Sequence, residues 1–437
     1  MNNLRLLTGL LSVTLLSGGV RTHAQSVVTL EEIFKTAEAN SAQLRPSFSA
    51  QEEAEHAVSV ARAGRLPDIS ASLSASYIGD GFSTKRDFSD YQRAPIPHFG
   101  NSISVNVTQP VYTGGAMSRA IELAELKSMA SRYATDFQRD NIRLRLAGFY
   151  LDIYKYTNLR QVVESNITAA RKVLEKIRAR HEQGTVLQND ITRYELLLSN
   201  LELQLVRINN TLSILNNNLV TTAGMPESTV IVPDSAILDR SLPKNNAGQW
   251  QQEALSHSPS LSLARTGVDM SKKAEALVRA ERMPKVGLQA AWSTDGPILV
   301  EIPPIDRNLS YWYVGVGVSY NISSLYKSNK SLAKSRAATK KAMEELAVAE
   351  ENVTLAVNAD HVRYLETYEE LKTRTKGAEL AERNYRTVET RYSAGMALIT
   401  DMLDAANAKL EAEQQLADAR INIIYYYYKL LFITGKI

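Results

Sequence analysis

The chain of 437 residues has no cysteine. That excludes a disulfide framework, a thiolate metal site and a lipid anchor carried on cysteine. Histidine is scarce as well. His23, His56, His98, His181, His257 and His361 lie far apart, with no pair at metal-ligand spacing. There is no GxSxG, no HExxH and no phosphate loop. Catalysis therefore has almost nothing to stand on: the chain does not read as an enzyme, and no cofactor or metal is called for. No basic block is present and the formal net charge is only +3, so nucleic acid is not indicated. Long apolar runs are confined to the start. "MNNLRLLTGLLSVTLLSGGVRTHAQS" carries Arg5, an apolar run from Leu6 to Leu16 and a small-residue site around Thr22 and Ala24. It reads as a secretory signal peptide over residues 1–24, with an ordinary buried helix as the other reading. No other stretch reaches the roughly 18 apolar residues that a membrane helix needs.

Proline is missing from two long stretches. From Gly115 to Gln183 and from Tyr326 to Ala394, 69 residues each, the apolar pattern is helical. Each is about 100 Å long as continuous helix at 1.5 Å per residue. Self-comparison relates the two. "GTVLQNDITRYELLLSNLELQL" from Gly184 aligns with "GMALITDMLDAANAKLEAEQQL" from Gly395 at an offset of 211, pairing Arg180 with Arg391, Asp190 with Asp401 and Gly224 with Gly435. Upstream, "ARAGRLPDISASLSASY" matches "VRAERMPKVGLQAAWS" at an offset of 217, pairing Pro67 with Pro284. The chain thus reads as an internal duplication, 25–224 and 249–437, joined by a linker over 225–248.

Each copy has the same expected parts. A first helix covers about Leu30–Arg65 and Gln249–Arg282. A β-hairpin follows at about 67–112 and 284–322, then the long helix at about 115–183 and 326–394. A return helix closes each copy at about 190–224 and 401–434. In the first return helix Tyr194, Leu198, Leu201, Leu205, Ile208, Leu212, Leu215 and Leu219 step by 4 and 3, which is coiled-coil spacing. The stripe behind Asp401 is smaller: Ala405, Ala412, Leu416, Ala419, Ile423, Leu430. The strands alternate cleanly. Ile69, Ala71, Leu73, Ala75 and Tyr77 share a face, with serines behind them. So do Trp312, Val314, Val316, Val318 and Tyr320, with Gly315 and Gly317 behind. Between the strands lie polar loops, roughly Gly79–Gly100 and Asp295–Ser310.

Strands of about ten residues with one apolar and one small polar face have the length that crosses an outer membrane at a tilt. Four per chain cannot close, and an open edge in lipid leaves backbone groups unpaired. Strands in a membrane would therefore force oligomerisation. Two chains would give 8 strands with a filled interior; three would give 12 and a lumen.

The order helix, hairpin, very long helix, turnaround and return helix, repeated, resembles the TolC-like outer membrane efflux protein family. "RYSAGMALITDMLDAANAKLEAEQQL", Arg391 to Leu416, is close to that family's most recognisable motif. The resemblance covers nearly all of the chain after residue 24. It implies a mixed, mainly α fold and a homotrimer: a 12-stranded outer-membrane β-barrel, four strands per chain, continued by a long periplasmic α-helical barrel of coiled-coil helices. The linker 225–248 would lie at the equator of that barrel. The implied function is the outer membrane channel of a tripartite efflux or type I secretion system, passing small molecules or proteins. The implied partners are a periplasmic adaptor, an inner-membrane pump of the RND or ABC type, and outer membrane lipid.

The resemblance also assigns a site. The helical turnarounds at Gly184 and Gly395 would receive the adaptor. Asp401 and Asp404, spaced i, i+3 on one helix face, would ring the narrow periplasmic mouth. Tyr392 and Asp190 would form a link that holds the mouth closed. A second closing link has no counterpart, because its positions read Ala397 and Asn189. Read locally, Asp401 and Asp190 are residues that stabilise helix N-termini, Thr400 is the expected cap of the last helix, and Arg193 stands where the first copy matches Asp404. A trimeric outer-membrane adhesin and a periplasmic coiled-coil adaptor are the rival readings. Hairpins about 200 residues apart argue against the first, and membrane-length strands against the second.

Overall fold

The structure is a computed structural model that describes residues 27–239, 242–243, 245–301 and 304–437; the expected signal peptide lies outside the described residues. In chain order the elements are β1 (Val27–Val28), α1 (Leu30–Asn40), α2 (Arg45–Ala63), β2 (Asp68–Tyr77), β3 (Gly81–Ser83), β4 (Gln92–Ala94) and β5 (Phe99–Tyr112). There follow α3 (Ala116–Glu182), α4 (Gln188–Ala223), β6 (Val232–Pro233), a 3-10 turn (Ser235–Asp239), α5 (Ala247–His257) and α6 (Pro259–Ala280). The chain ends with β7 (Lys285–Gly296), β8 (Leu309–Ser319), α7 (Ser324–Ser393) and α8 (Ile399–Ile433).

With no proline to interrupt them, α3 and α7 run as single helices of 67 and 70 residues. The first helix of each half is a different matter. It is not continuous but split, α1 from α2 and α5 from α6. Pro46 lies in the first turn of α2, where a missing N–H has no acceptor to lose. Ser258, just before Pro259, is extended (φ −59°, ψ 122°), as a residue preceding proline prefers. Capping boxes start the upstream pieces: Thr29 with Glu32 at α1, Asn246 with Gln249 at α5. The linker 225–248 carries β6 and the 3-10 turn. β6 pairs in parallel with β1, and Tyr150 of α3 pins that pair by donating to the Val28 carbonyl (2.9 Å) and accepting from the Asp234 N–H (2.7 Å).

The helices pack side by side in the order α4, α3, α8, α7. Tyr194, Leu201 and Ile208 of the α4 stripe are buried, facing Val163, Ile167, Leu174 and Ile177 of α3, and Leu219 is buried further along, in the cluster of Leu146, Tyr150 and Ile153. Leu198, Leu205, Leu212 and Leu215 are half-buried beside them. At about 1.5–3 kcal/mol for each fully buried large side chain, this seam is enough to hold two long helices together. Ala405 and Ala419 of α8 are also buried, so the smaller stripe packs inward as well. The outer flanks expose apolar side chains: Leu196, Leu203, Val206 and Ile214 on α4, and Val348, Leu355, Val362 and Leu365 on α7.

The four long strands form one antiparallel sheet in the order β2-β5-β7-β8, so the strands of the two halves meet at β5–β7. Register sorts the faces. Ile69 lies opposite Val107, Ala71 opposite Val105, Val105 opposite Trp292 and Trp292 opposite Trp312. The other face carries Ser72 opposite Ser104, whose hydroxyls are 2.8 Å apart, and Gly287 opposite Gly317. β2 and β8 are unpaired along their outer edges, and the apolar face is solvent-exposed in the single chain, with Leu73 at 77% and Trp312 at 73%. The loop expected over Gly79–Gly100 contains the β3–β4 hairpin, and Phe99 and Gly100 already belong to β5.

Candidate functional site: the helical turnarounds

The two turnarounds lie at the end of the helices away from the sheet. Both long helices stop the same way. Gly184 and Gly395 are left-handed (φ 71° and 74°), a conformation that costs glycine nothing. In each, the glycine N–H bonds three residues back (Gly184 to His181 O, 2.8 Å; Gly395 to Tyr392 O, 3.0 Å). The following N–H bonds five back (Thr185 to Arg180 O, 3.0 Å; Met396 to Arg391 O, 2.8 Å). This pair of bonds is the Schellman motif, which satisfies the last carbonyls of the helix. The chain then re-enters α4 after Leu187 and α8 after Leu398, both extended.

The cap of α8 is therefore Leu398, and Thr400 sits inside its first turn instead of capping it. Leucine has no acceptor, so the helix is served from within: the Leu398 N–H donates to Asp401 Oδ2 at 2.9 Å. Asp401 thus stabilises the helix start while its side chain stays exposed. Asp404, one turn on, is exposed and has no hydrogen bond or ion pair among the described residues. Asp401 and Asp404 share a face. Asp190 occupies the equivalent of Asp401 in α4, half-buried, without the equivalent hydrogen bond. Arg193 is exposed and forms no ion pair with Asp404 within the chain.

Tyr392 is almost fully buried, and its hydroxyl has no hydrogen-bond partner among the described residues. Burial first, then the nearby Asp190 carboxylate, push its phenol up, while the Arg180 guanidinium pulls it down. Tyr392 and Asp190 are therefore brought together without a hydrogen bond between them. What does join the two long helices is Arg180. Its Nη1 donates to the Tyr392 carbonyl at 2.9 Å, and its guanidinium lies over the Tyr392 ring, 5.5 Å from the centroid. Sequence reasoning placed Arg180 only as the counterpart of Arg391; its cationic, helix-ending position was the signal. Beside this contact an open cavity of about 360 Å³ is lined by Ile177, Lys176, Arg180, Tyr392 and Met402. Behind it Ile177, Ile191, Tyr194, Ile399 and Met402 form a buried apolar plug.

Further ties fix the two arms within each hairpin. Arg178–Glu195 (2.7 Å) and Arg171–Glu202 (2.8 Å) join α3 to α4. Lys409 of α8 bonds Glu382 of α7 at 2.7 Å, which holds that carboxyl below the usual range, and lies 4.9 Å from the Tyr385 centroid. No group of acidic and histidine side chains suited to a metal occurs among the described residues.

The model of the outer membrane efflux protein family matches residues 33–225 and again 250–436. The chain belongs to that family. Its members are channel proteins of the outer membrane, and this efflux protein is an outer membrane channel of the kind used in efflux and secretion systems. Among curated relatives it is 23% identical over 417 residues to the pyoverdine export outer membrane protein OpmQ of Pseudomonas aeruginosa, covering 92% of this chain and 84% of OpmQ. It is 21% identical over 427 residues to the outer membrane efflux protein BepC of Brucella suis, covering 97% and 89%. Its fold is that of the outer membrane protein VceC of Vibrio cholerae, with a TM-score of 0.78, 16% identity and coverage of 93% of this chain and 96% of VceC.

Proposed function

We propose that three copies of this efflux protein, an internally duplicated chain exported by its leader over residues 1–24, close a 12-stranded barrel in the outer membrane. Below it their helices enclose a conduit through the periplasm. The observation that carries this is the four-stranded sheet: it is apolar on one face and small and polar on the other, and both of its edges are open. An open edge in lipid costs several kcal/mol per unpaired group, and only closure with further copies removes it. The apolar flanks of α4 and α7 give the same copies a helical interface. A periplasmic adaptor and an inner-membrane pump, RND or ABC, dock at the Gly184 and Gly395 turnarounds and deliver small molecules or proteins; OpmQ is named for pyoverdine export.

At the mouth, threefold symmetry gathers Asp401 and Asp404 into a ring of six carboxylates, which favours cations and limits flow at rest. The contact of Arg180 with Tyr392, with Asp190 beside it, holds the mouth closed. Mass measurement of the purified protein in detergent tests the assembly, and a stable monomer overturns it. Cysteines placed in the loop around Ser89, in a chain that has none of its own, should react with an impermeant maleimide on intact cells; cysteines near Gly395 should not.

A further inference from the structure

The polar face of the sheet is not uniform along its length. Strand partners share a face, so register places Asp68 and Lys285 on it at the end joined to the helices, and Asp295 at the far end. Asp68 and Lys285 offset one another. The positions between them and Asp295 on β5 and β7 are uncharged, including Ser102, Ser104, Asn106, Gln289 and Ser293. Asp295 is held in place: Ser102 Oγ donates to its Oδ1 at 2.5 Å and Ser293 Oγ to its Oδ2.

Bulk follows the same gradient. Near the helices this face carries Gly287, Gly315 and Gly317, and a Cβ added at Gly315 would meet nothing within 4 Å. Near the far end it carries Tyr311 opposite Ser293 and Tyr313 opposite Ala291, about half exposed at 49% and 50%. The one unbalanced charge and the two large rings of this face thus lie at the same end, the end that leads to the β7–β8 loop.

We infer that Asp295, Tyr311 and Tyr313 form an outer selectivity constriction that takes quaternary-ammonium-type organic cations. The inference rests on the trimeric-barrel reading, in which threefold symmetry brings three carboxylates and six phenol rings to successive rungs at the same end of the lumen. The carboxylates supply charge, and the ring faces attract a cation whose alkyl groups cannot hydrogen-bond. Serine hydroxyls orient the carboxylate in advance, so binding costs little reorganisation. The narrowing comes from the tyrosines, the two rigid rings of a face that otherwise carries mostly serine and glycine, with Gln289 and Lys285 toward the helices.

The test is a planar-bilayer recording of the purified trimer, with tetraethylammonium added on the loop side of the barrel. Wild type should be blocked from that side and prefer potassium over chloride. Asp295→Asn should lower the permeability ratio by about threefold or more at low salt and weaken the block by a similar factor. Tyr311→Ala with Tyr313→Ala should raise conductance and weaken the block with less change in the ratio. Heat-modifiable migration checks that each variant assembles. A trimeric channel whose loop-side block survives Asp295→Asn, or survives the double tyrosine change, overturns this inference and leaves the conduit standing. A protein that forms no trimer or no channel overturns the conduit and, with it, the constriction.

Discussion

Replacing Arg180 by alanine should open the mouth. The side chain makes one charge-assisted hydrogen bond, to the Tyr392 carbonyl at 2.9 Å, and one cation–ring contact at 5.5 Å. The first is worth about 1.5–3 kcal/mol and the second about 0.5–1 kcal/mol. Arg180 is half-buried, so the lower ends apply, about 2 kcal/mol per chain. At 1.4 kcal/mol per tenfold, the closed-to-open equilibrium should shift about 30-fold per chain. Arg180→Lys keeps the charge but not the planar fork, and should fall between wild type and alanine. Tyr392→Phe is the sharp control. It deletes a buried hydroxyl that has no partner, so it should leave gating unchanged and stability equal or higher. Single-channel conductance in planar bilayers reads all three. If Tyr392→Phe opens the channel and Arg180→Ala does not, the closing force runs through the Tyr392 hydroxyl and Asp190, and the assignment to Arg180 is refuted.

Two other outcomes follow. Asp401→Ala combined with Asp404→Ala should abolish block by multivalent cations from the helical side and weaken cation preference, most clearly at low salt, where screening is weak; equal block in both proteins returns Asp401 to its helix-start role alone. Asp140 in α3 is buried, and burial, opposed by Arg143 and Arg139, raises its carboxyl to about 6. A pKa raised on folding adds stability that is full below about pH 4 and lost as pH climbs through about 6, so thermal stability should rise by about 1 kcal/mol per chain from pH 7 to pH 5. Asp140→Asn should flatten that dependence and raise the melting temperature at pH 7; an unchanged slope would refute it.

The periodic parts of this molecule were legible in its sequence because one period holds over many residues. The step of 4 and 3 from Tyr194 to Leu219 marks the buried side of α4, and the alternation of β2 marks its two faces. Local breaks were harder. Pro46 and Pro259 are visible in the sequence, yet the surrounding helical pattern masks the splits they cause. The Leu398 cap was missed because leucine carries no capping group; an aspartate three residues later provides for it. Arg180 reaches a carbonyl 212 residues away, and the chain holds no local trace of that pairing. The same is true of Asp295, whose partner Ser102 lies on a different hairpin.

The β5–β7 ladder has a consequence for how the molecule is made. It places Asn101 against Gly296 and Pro110 against Gly287, so the centre of the sheet joins segments that emerge far apart in time during synthesis. Pairings that remote in sequence close slowly, because the intervening chain must be gathered first. Until β7 arrives, the first hairpin has an unsatisfied edge on each side, with Ile69, Leu73 and Ile103 on an uncovered face. Such a hairpin is prone to pair with whatever strand is nearby. On the proposed route of export, a chain crossing the periplasm would need those edges shielded until it assembles. Even a finished chain carries the hazard onward, since β2 and β8 keep their bare edges. In the trimeric-barrel reading, each copy is an incomplete object whose last folding step is meeting its neighbours.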